Sequence, residues 1–326
     1  MKKKKVIILV ALAILVATGL LSLCVGRYSQ SLNEVVSLLL GQSNPSVEFI
    51  VYKLRLPRLL CAILIGGALS AAGMAFQGLF QNPLVSPDIL GVSSGACVGA
   101  VTSILLGLGT TFTMLLAFST GVASVAIAIL LTILTRRSKN TIMVFAGIIV
   151  GRFMSSIVGI LIFFADDESQ LGAIVEWEMG SLAKVTTTDI VIFGPLLIIS
   201  IAVLLLLRWR INLLSVGEGD AKSLGVNVTK ESLLVICVAT FATALSVCVA
   251  GTIAWIGLII PHISRWIIRD DNRYSMPLGV LLGAVALIIS DTVARSLLPF
   301  ELPLEVITGL AGAPIFAWIM VKRWKE

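Results

Sequence analysis

The sequence predicts an all-α integral membrane protein with ten transmembrane helices, and two observations lead to this fold class. The first is composition: of the 326 residues, 58% are hydrophobic and 13% are charged, whereas soluble domains carry roughly 25% charged residues. The second is spacing, because apolar stretches of about 20 residues, the length of one helical crossing, recur between polar breaks. The alternating strands of a membrane β-barrel are not seen in the sequence, so helices are expected to satisfy the backbone in lipid.

The polar breaks delimit the ten predicted helices within one transmembrane domain that covers residues 1–326. These helices span residues 6–26, 59–80, 91–108, 112–135, 141–164, 189–207, 231–250, 253–268, 277–297 and 304–321. The third is short, and only Gly251 and Thr252 separate the seventh from the eighth. The first follows a run of lysines, as a signal peptide would, but its apolar run exceeds the usual length of about 7–15 residues. We therefore interpret it as an uncleaved crossing.

Lysines and arginines predict the orientation of the helices, because the cytoplasmic loops of membrane proteins carry an excess of them. With the amino terminus in the cytoplasm, 17 of the 24 basic residues fall on the cytoplasmic side. Six fall on the outer side, namely Arg27, Lys53, Arg55, Arg58, Lys184 and Arg295. Acidic residues show the opposite bias. An even number of helices, with both termini in the cytoplasm, accounts for this asymmetry.

No group of residues in the sequence suggests a catalytic centre, a metal site or a bound cofactor. The five cysteines lie singly in or beside apolar segments, where small core residues are expected. His262 is the only histidine, so it cannot form a metal site by itself and is interpreted as a packing residue. The phosphate-binding pattern Gly-x-x-x-x-Gly-Lys-Ser/Thr does not occur either. The chain is therefore not expected to be an enzyme.

Two polar segments carry more turn-forming residues than a plain connector needs. In residues 77–96, Asn82 and Pro83 break one helix, while Pro87 and Gly91 mark a tight turn before the next. These residues predict a structured loop. Residues 208–231 mix polar and apolar positions, and their glycines predict two short helices. That second segment is either a solvated loop or a docking surface for a soluble partner on the cytoplasmic side.

Five motifs occur in order along nearly the whole chain. They are "RLPRLL", "QGLFQNPLVSPDILGVSSGA", "LLSVGEGDAKSLGVN", "GLIIPHISR" and "SDTVARSLL" followed by "ELPLEVITGLAGAPIFAWI". This series resembles the permease family of bacterial ATP-binding-cassette (ABC) importers for iron-siderophores, haem and cobalamin. The resemblance implies the type II importer permease architecture and a location in the bacterial cytoplasmic membrane. It also implies that the cargo is a metal chelate, by default a ferric siderophore, with haem and cobalamin as alternatives.

The same resemblance implies partners in the lipid bilayer and on both of its sides, and no nucleic acid. They are two ATPase subunits, an extracytoplasmic substrate-binding protein, and a second permease, which is either a copy of this chain or a paralogue. A separate ATPase is consistent with the missing phosphate-binding pattern. By resemblance, residues 211–228 couple the permease to the ATPase. The candidate coupling residues are Ser215, Gly217, Glu218, Ala221 and Gly225.

Further roles are implied for single residues. Arg55, Arg58 and Arg295 match arginines that meet acidic residues of the binding protein, whereas topology alone leaves open that they snorkel to the membrane interface. Asn140 and Thr141, at the cytoplasmic start of the fifth predicted helix, are candidates for a gate.

Arg152 stands apart because it lies near the middle of the fifth predicted helix. An arginine at the bilayer centre costs at least about 2.5 kcal/mol, so Arg152 is expected to face the bundle interior or the transport pathway. Two interpretations remain open. Arg152 contacts an anionic cargo, or it pairs with a carbonyl, a helix end or a distant acid such as Asp291.

A stand-alone transporter driven by an ion gradient is the alternative function. Such a transporter needs acidic residues within the membrane to bind protons or sodium. Within the predicted helices and clear of the loops, the sequence offers Asp189 and Asp291, and Asp189 lies at a helix start. A third class, a structural or enzymatic membrane subunit, has no catalytic cluster in its favour.

Overall fold

The computed structural model describes residues 2–26, 31–41, 45–135, 139–165 and 168–323, and every regular element within these ranges is helical. Their α-helices are α1 (Lys2–Cys24), α2 (Leu32–Leu39), α3 (Pro45–Glu48), α4 (Leu56–Leu79), α5 (Val92–Leu105), α6 (Thr110–Leu134), α7 (Lys139–Ile162), α8 (Glu168–Glu178), α9 (Thr187–Ser215), α10 (Glu218–Ser223), α11 (Val228–Ala250), α12 (Ile256–Ile268), α13 (Asn272–Ser296) and α14 (Leu304–Arg323). A π-helical segment (Phe49–Arg55) joins α3 to α4, and a 3₁₀ turn (Pro87–Leu90) precedes α5.

Each of the ten predicted helices has a counterpart in the structure, which confirms the all-α membrane fold. Among the described residues, eight helical stretches are long and apolar enough to cross a membrane. The counterparts of the third and eighth predicted helices, α5 and α12, have only 14 and 13 residues. The count of ten crossings therefore stays a prediction. A short helix of 11 residues, α8, lies between α7 and α9.

The predicted start of the second helix, at Leu59, is wrong. The helical backbone begins at Pro45 and passes through the π-helical segment before α4. Proline lacks an N–H group and its ring clashes with the carbonyl four residues earlier, so Pro57 would normally end or kink a helix. Here the turn is widened, with Leu56 donating its N–H to the Val51 carbonyl, five residues earlier. The Leu-Pro pair therefore lies inside a continuous helix.

The predicted end of the sixth helix, at Leu207, is also wrong. The helix α9 continues to Ser215, because Ile211 and Leu214 supply further apolar side chains that are buried. Of the two short helices predicted between residues 208 and 231, the structure contains one, α10. The first part of this segment, up to Ser215, is therefore a continuation of α9.

The core of the molecule is built around α4. Most of its side chains are buried, and it packs against α9, α11, α12 and α13. The closest approaches are made by glycines: Gly66 faces Gly283 of α13, and Gly73 faces Gly257 of α12, with backbone against backbone. Small residues at such contacts are typical of membrane proteins, where van der Waals packing drives helix association.

By contrast, α7 and α14 lie at the edge of the molecule. Only 22% and 17% of the most apolar stretch of each is buried within this chain. The helix α7 packs mainly against α5, α6 and the 3₁₀ turn, and α14 packs mainly against α12 and α13. Both helices therefore present long faces that the described part of this chain does not cover.

Candidate functional site

A cavity of about 570 Å³ opens between α5, α7, α8 and the start of α12. Its polar lining consists mainly of hydroxyl and carboxyl groups. The hydroxyls belong to Ser86, Ser93, Ser94, Ser155, Thr243 and Thr252, and the carboxyls to Asp88, Glu178 and Glu305. No lysine or arginine is found among the described residues that line it. The volume lies within the range of about 300–1,000 Å³ that small-molecule sites occupy.

The loop between α4 and α5 forms one wall of this cavity, and the turn-forming residues noted in the sequence shape it. The Asn82 side chain accepts a hydrogen bond from the Leu84 N–H (2.9 Å), and the Pro83 carbonyl lies 2.8 Å from His262 Nε2. Pro87 opens the 3₁₀ turn and packs against Gly257. Gly91 ends that turn with φ 79°, where a Cβ would come within 3.0 Å of the α7 backbone.

Two glutamines tie this loop to neighbouring helices. Gln77 donates to the carbonyls of Val85 and Leu258 (3.2 Å each), which fastens the loop to α12. Gln81 donates to the Leu214 carbonyl near the end of α9 (3.3 Å). The loop that lines the cavity is thus bonded directly to the helix that leads into α10. Neither glutamine was predicted to have a role, although Gln77 and Gln81 are polar residues flanking the apolar "GLF".

The predicted coupling residues surround α10. Ser215 ends α9 and donates to the Asn212 carbonyl (2.7 Å), and Gly217 and Gly225 bracket the helix with φ of 116° and 80°. Glu218 opens the helix and pairs with Lys222 (2.7 Å). The Ala221 side chain is fully buried, contrary to what a contact residue needs. The exposed residues of α10 and its flanks are Ser215, Val216, Gly219, Asp220, Lys222, Ser223, Leu224 and Gly225.

The start of α13 is held against α9 by Asp271. This carboxylate accepts from the Arg273 backbone N–H (3.1 Å), from the Arg273 guanidinium and from Asn212 Nδ2 (2.9 Å). The hydrogen bonds from Arg273 lower the pKa of Asp271 to about 2. The group is therefore ionised across the physiological pH range and fastens α13 to the helix that precedes α10.

The three predicted docking arginines meet at the opposite end of the molecule, where they are buried rather than exposed at a rim. Arg58 pairs with Asp291 (2.7 Å) and with Glu301 (2.8 Å), and Arg295 pairs with Asp291 (3.4 Å). The relative exposure of Arg55, Arg58 and Arg295 is 6%, 9% and 6%. Glu301 is the more accessible partner, with 32% of its side chain exposed.

Two of these arginines also complete the end of α1. Arg55 donates to the Leu23 carbonyl (2.5 Å), and Arg295 donates to the Ser22 carbonyl and hydroxyl. These bonds satisfy carbonyls that have no partner within the last turn of a helix. The arginines are therefore part of an ion-pair network that joins α1, α4 and α13. Their role in docking a binding protein remains a prediction.

The remaining predicted residues lie on α7. Thr141 is exposed in its first turn, whereas the side chain of Asn140 lies outside the described part of the structure. Arg152 is exposed on α7 and does not face the interior of this chain. The suggested pairing of Arg152 with Asp291 is wrong, because Asp291 is engaged by Arg58 and Arg295.

No group of three or more histidine, cysteine, aspartate or glutamate side chains suited to a metal ion is found in the described ranges. The described residues instead form a polar cavity beside the uncovered face of α7. A hydrogen bond from Gln81 to Leu214 connects the cavity wall to the end of α9, which leads into α10.

Comparison with known proteins identifies the family. The model of the FecCD transport family matches residues 14–322. The chain belongs to the FecCD transport family. A FecCD relative, the molybdate import system permease protein MolB of Haemophilus influenzae, is 34% identical over 316 residues, which cover 95% of this chain and 93% of MolB. Another, the Fe(3+)-citrate import system permease protein YfmE of Bacillus subtilis, is 32% identical and covers 98% of this chain and 96% of YfmE.

A solved structure confirms the architecture that the motifs implied. It shows an inward-facing conformation of a metal-chelate type ABC transporter and superposes with a TM-score of 0.89 at 34% identity. The match covers 97% of this chain and 99% of the other. The type II importer permease fold and the resemblance to the iron-siderophore, haem and cobalamin permeases are thereby confirmed. This FecCD chain is a multi-pass membrane permease.

Proposed function

We propose that this FecCD chain is the permease subunit of an ABC importer that moves a ferric chelate across the bacterial cytoplasmic membrane, with both termini in the cytoplasm. The observation that carries the proposal is the end-to-end match to a metal-chelate type ABC transporter. The polar cavity of about 570 Å³ beside the uncovered face of α7 offers a place for such a cargo. The relative named for Fe(3+)-citrate import supports a ferric chelate as the cargo.

A ferric siderophore is the default cargo within this class, and haem and cobalamin are the alternatives. Hydroxyl and carboxyl groups line the cavity, and they suit a polar chelate whose surface carries hydrogen-bonding oxygens. ATP-dependent uptake of ferric siderophore, haem and cobalamin, measured side by side, distinguishes the three. A preference for haem or cobalamin would overturn the default without affecting the transporter class.

ATP hydrolysis belongs to a separate ATPase that docks on α10 in this proposal. The exposed Val216 and Leu224 flank a short, charged helix, which is the kind of surface that a groove in a soluble partner accepts. The bond from Gln81 to Leu214 supplies a route from this helix to the cavity wall. Movement of α10 would then reach the loop that lines the cavity.

Disulfide cross-linking tests the ATPase contact. Asp220→Cys, on the exposed face of α10, is expected to cross-link to cysteines introduced in the ATPase groove. Ala221→Cys is the matched control. Ala221 is next to Asp220 in the chain, but its own side chain is buried, so a cysteine there should react poorly. Failure to cross-link at every exposed position from 213 to 225, with the complex intact, would refute the assignment.

The extracytoplasmic binding protein is proposed to dock where Arg55, Arg58 and Arg295 gather. Because these groups are buried, an acidic partner would replace Glu301, their most accessible carboxylate, rather than meet free arginines. Such contacts give orientation and fast encounter more than affinity. Glu301→Ala should therefore strengthen capture of the binding protein. Unchanged or weaker capture by a folded variant would contradict this docking site.

A second permease is proposed to cover the exposed faces of α7 and α14 and so to close the pathway. It is a copy of this chain or a paralogue. The low burial of these two apolar helices supports this placement. Native mass spectrometry of the complex should find two permeases, and a single permease per complex would rule the arrangement out.

A further inference from the structure

Arg152 is an exposed guanidinium in the middle of a membrane-spanning helix. It lies 13 residues after Lys139 and 10 before Ile162, so the ends of α7 are about 20 Å and 15 Å away along the axis. Snorkelling to the interface is the usual solution for arginines near helix ends. At this depth the side chain needs a polar environment close by.

The described part of this chain does not supply a charged partner. No ion pair of Arg152 is formed with any described acidic side chain, and Asp291, the buried acid of α13, is occupied by two other arginines. Exposure to lipid would cost at least about 2.5 kcal/mol. The face of α7 that carries Arg152 must therefore meet water or protein that lies outside this single chain.

The face of α7 that carries Arg152 adjoins the cavity. Ser155, one turn further along α7, lines the cavity, and its hydroxyl lies 3.4 Å from that of Ser94 on α5. Residues three apart in a helix are neighbours on its surface, so Arg152 lies on α7 next to a residue that lines the cavity. Gly151, the preceding residue, packs against Gly91 and fixes the rotation of α7 at this level.

The position of Arg152 matters because the cavity itself has only acidic charged groups in its described lining. Its described lining contains the carboxyls of Asp88, Glu178 and Glu305 and no basic side chain. Asp88 is engaged in structure, because it accepts the Ser93 N–H at the start of α5 (2.7 Å). With acidic groups alone, the cavity would repel an anion. Arg152 is a basic group on α7 that can reverse this preference.

We propose that Arg152 selects a cargo with anionic oxygens, carboxylate or metal oxyanion, by placing a guanidinium on the pathway side of α7 next to the cavity. The planar guanidinium forms paired hydrogen bonds with such oxygens. This inference rests on the proposed function and deepens it, since it names the charge of the cargo that the permease admits.

The local electrostatic potential tests the proposal without requiring transport. Ser155→Cys is introduced in the complete complex in membrane vesicles, and its rates of reaction with an anionic and a cationic methanethiosulfonate reagent are compared. The unsubstituted chain, labelled in parallel, corrects for the five native cysteines. Removing one positive charge at this range should lower the anionic-to-cationic rate ratio by about fivefold or more in S155C/R152Q.

Three companion measurements separate charge from structure. S155C/R152K keeps the charge and should stay within about twofold of S155C, and S155C/K5Q loses a charge far from α7 and should not change. With Arg152 in place, the anionic preference should fall as salt rises, a readout that needs no substitution at this position. An unchanged ratio in R152Q, an equal loss in R152K, or no reaction of S155C with either reagent would overturn the proposal. Failure of the proposed function is detected separately, as absence of ATP-dependent uptake by the unsubstituted complex.

Discussion

Gly73→Ala is expected to destabilise the folded protein by about 3 kcal/mol, near the upper end of the usual cost of overpacking. An added Cβ would collide with the Gly257 carbonyl oxygen, and backbone cannot move aside as a flexible side chain can. Gly257 is itself confined on its other side by Pro87. The helices α4 and α12 would have to separate, which disturbs the cavity wall. Thermal unfolding of the purified protein in detergent measures the loss.

Gly19→Ala is the matched control for this substitution. Gly19 is also a buried glycine within an apolar helix, but its added Cβ would meet only the end of the Leu59 side chain at 3.8 Å, which is an ordinary contact. Its unfolding temperature should stay close to that of the unsubstituted protein or rise slightly, because alanine favours the helix. Equal effects of the two substitutions would contradict the close packing of α4 against α12.

Asp291→Asn is expected to destabilise the protein by about 3–5 kcal/mol, the usual consequence of breaking a buried ion pair. Asp291 neutralises both Arg58 and Arg295, and its side chain is 3% exposed. Without it, two buried guanidiniums would repel each other, and only the partly exposed carboxylate of Glu301 would lie nearby. The connection of α1 to α4 and α13 should loosen, and protease sensitivity at the end of α1 should rise together with the loss of thermal stability.

Asp270→Asn supplies the comparison for this charge. Asp270 has 81% of its side chain exposed and lies 4.0 Å from Arg265, so its loss should cost no more than about 1 kcal/mol. Glu301→Ala should fall between the two, because Glu301 pairs with Arg58 but is partly solvated. A D291N variant as stable as D270N would show that the buried network does not hold these helices together.

Sequence reasoning predicted the helices better than it predicted their ends. Composition and the length of the apolar runs predicted a helix at each of the ten positions where the structure has one, of which eight are long enough to cross a membrane. The extension of α9 to Ser215 and the π-helical entry to α4 depend on tertiary packing around Ile211 and Pro57. Local propensity carries little information on such packing, so the predicted boundaries were wrong there.

For the candidate site, the sequence predicted where charged residues lie along the membrane normal but not which partners they contact. Positive-inside counting placed Arg55, Arg58 and Arg295 at one end of the molecule, but it says nothing of burial. Their acidic partner, Asp291, is 233 residues away from Arg58 in the chain, and only folding brings the two together. The spacing of Asp291 and Arg295, four residues apart on a helix, was the one local signal of this network. The cavity beside Ser155 and the contact of Gln81 with α9 had no such signal.

Uptake by the reconstituted complex tests the central claim most directly. The permease, its ATPase and its binding protein are placed in proteoliposomes, and the accumulation of ferric siderophore is measured with and without ATP and with and without a proton or sodium gradient. Accumulation is expected to require both ATP and the binding protein and to be independent of the gradients. Gradient-driven accumulation without ATP would contradict it and would favour an ion-coupled transporter, in which Asp189 or Asp291 would have to bind the ion despite their helix-capping and ion-pairing roles.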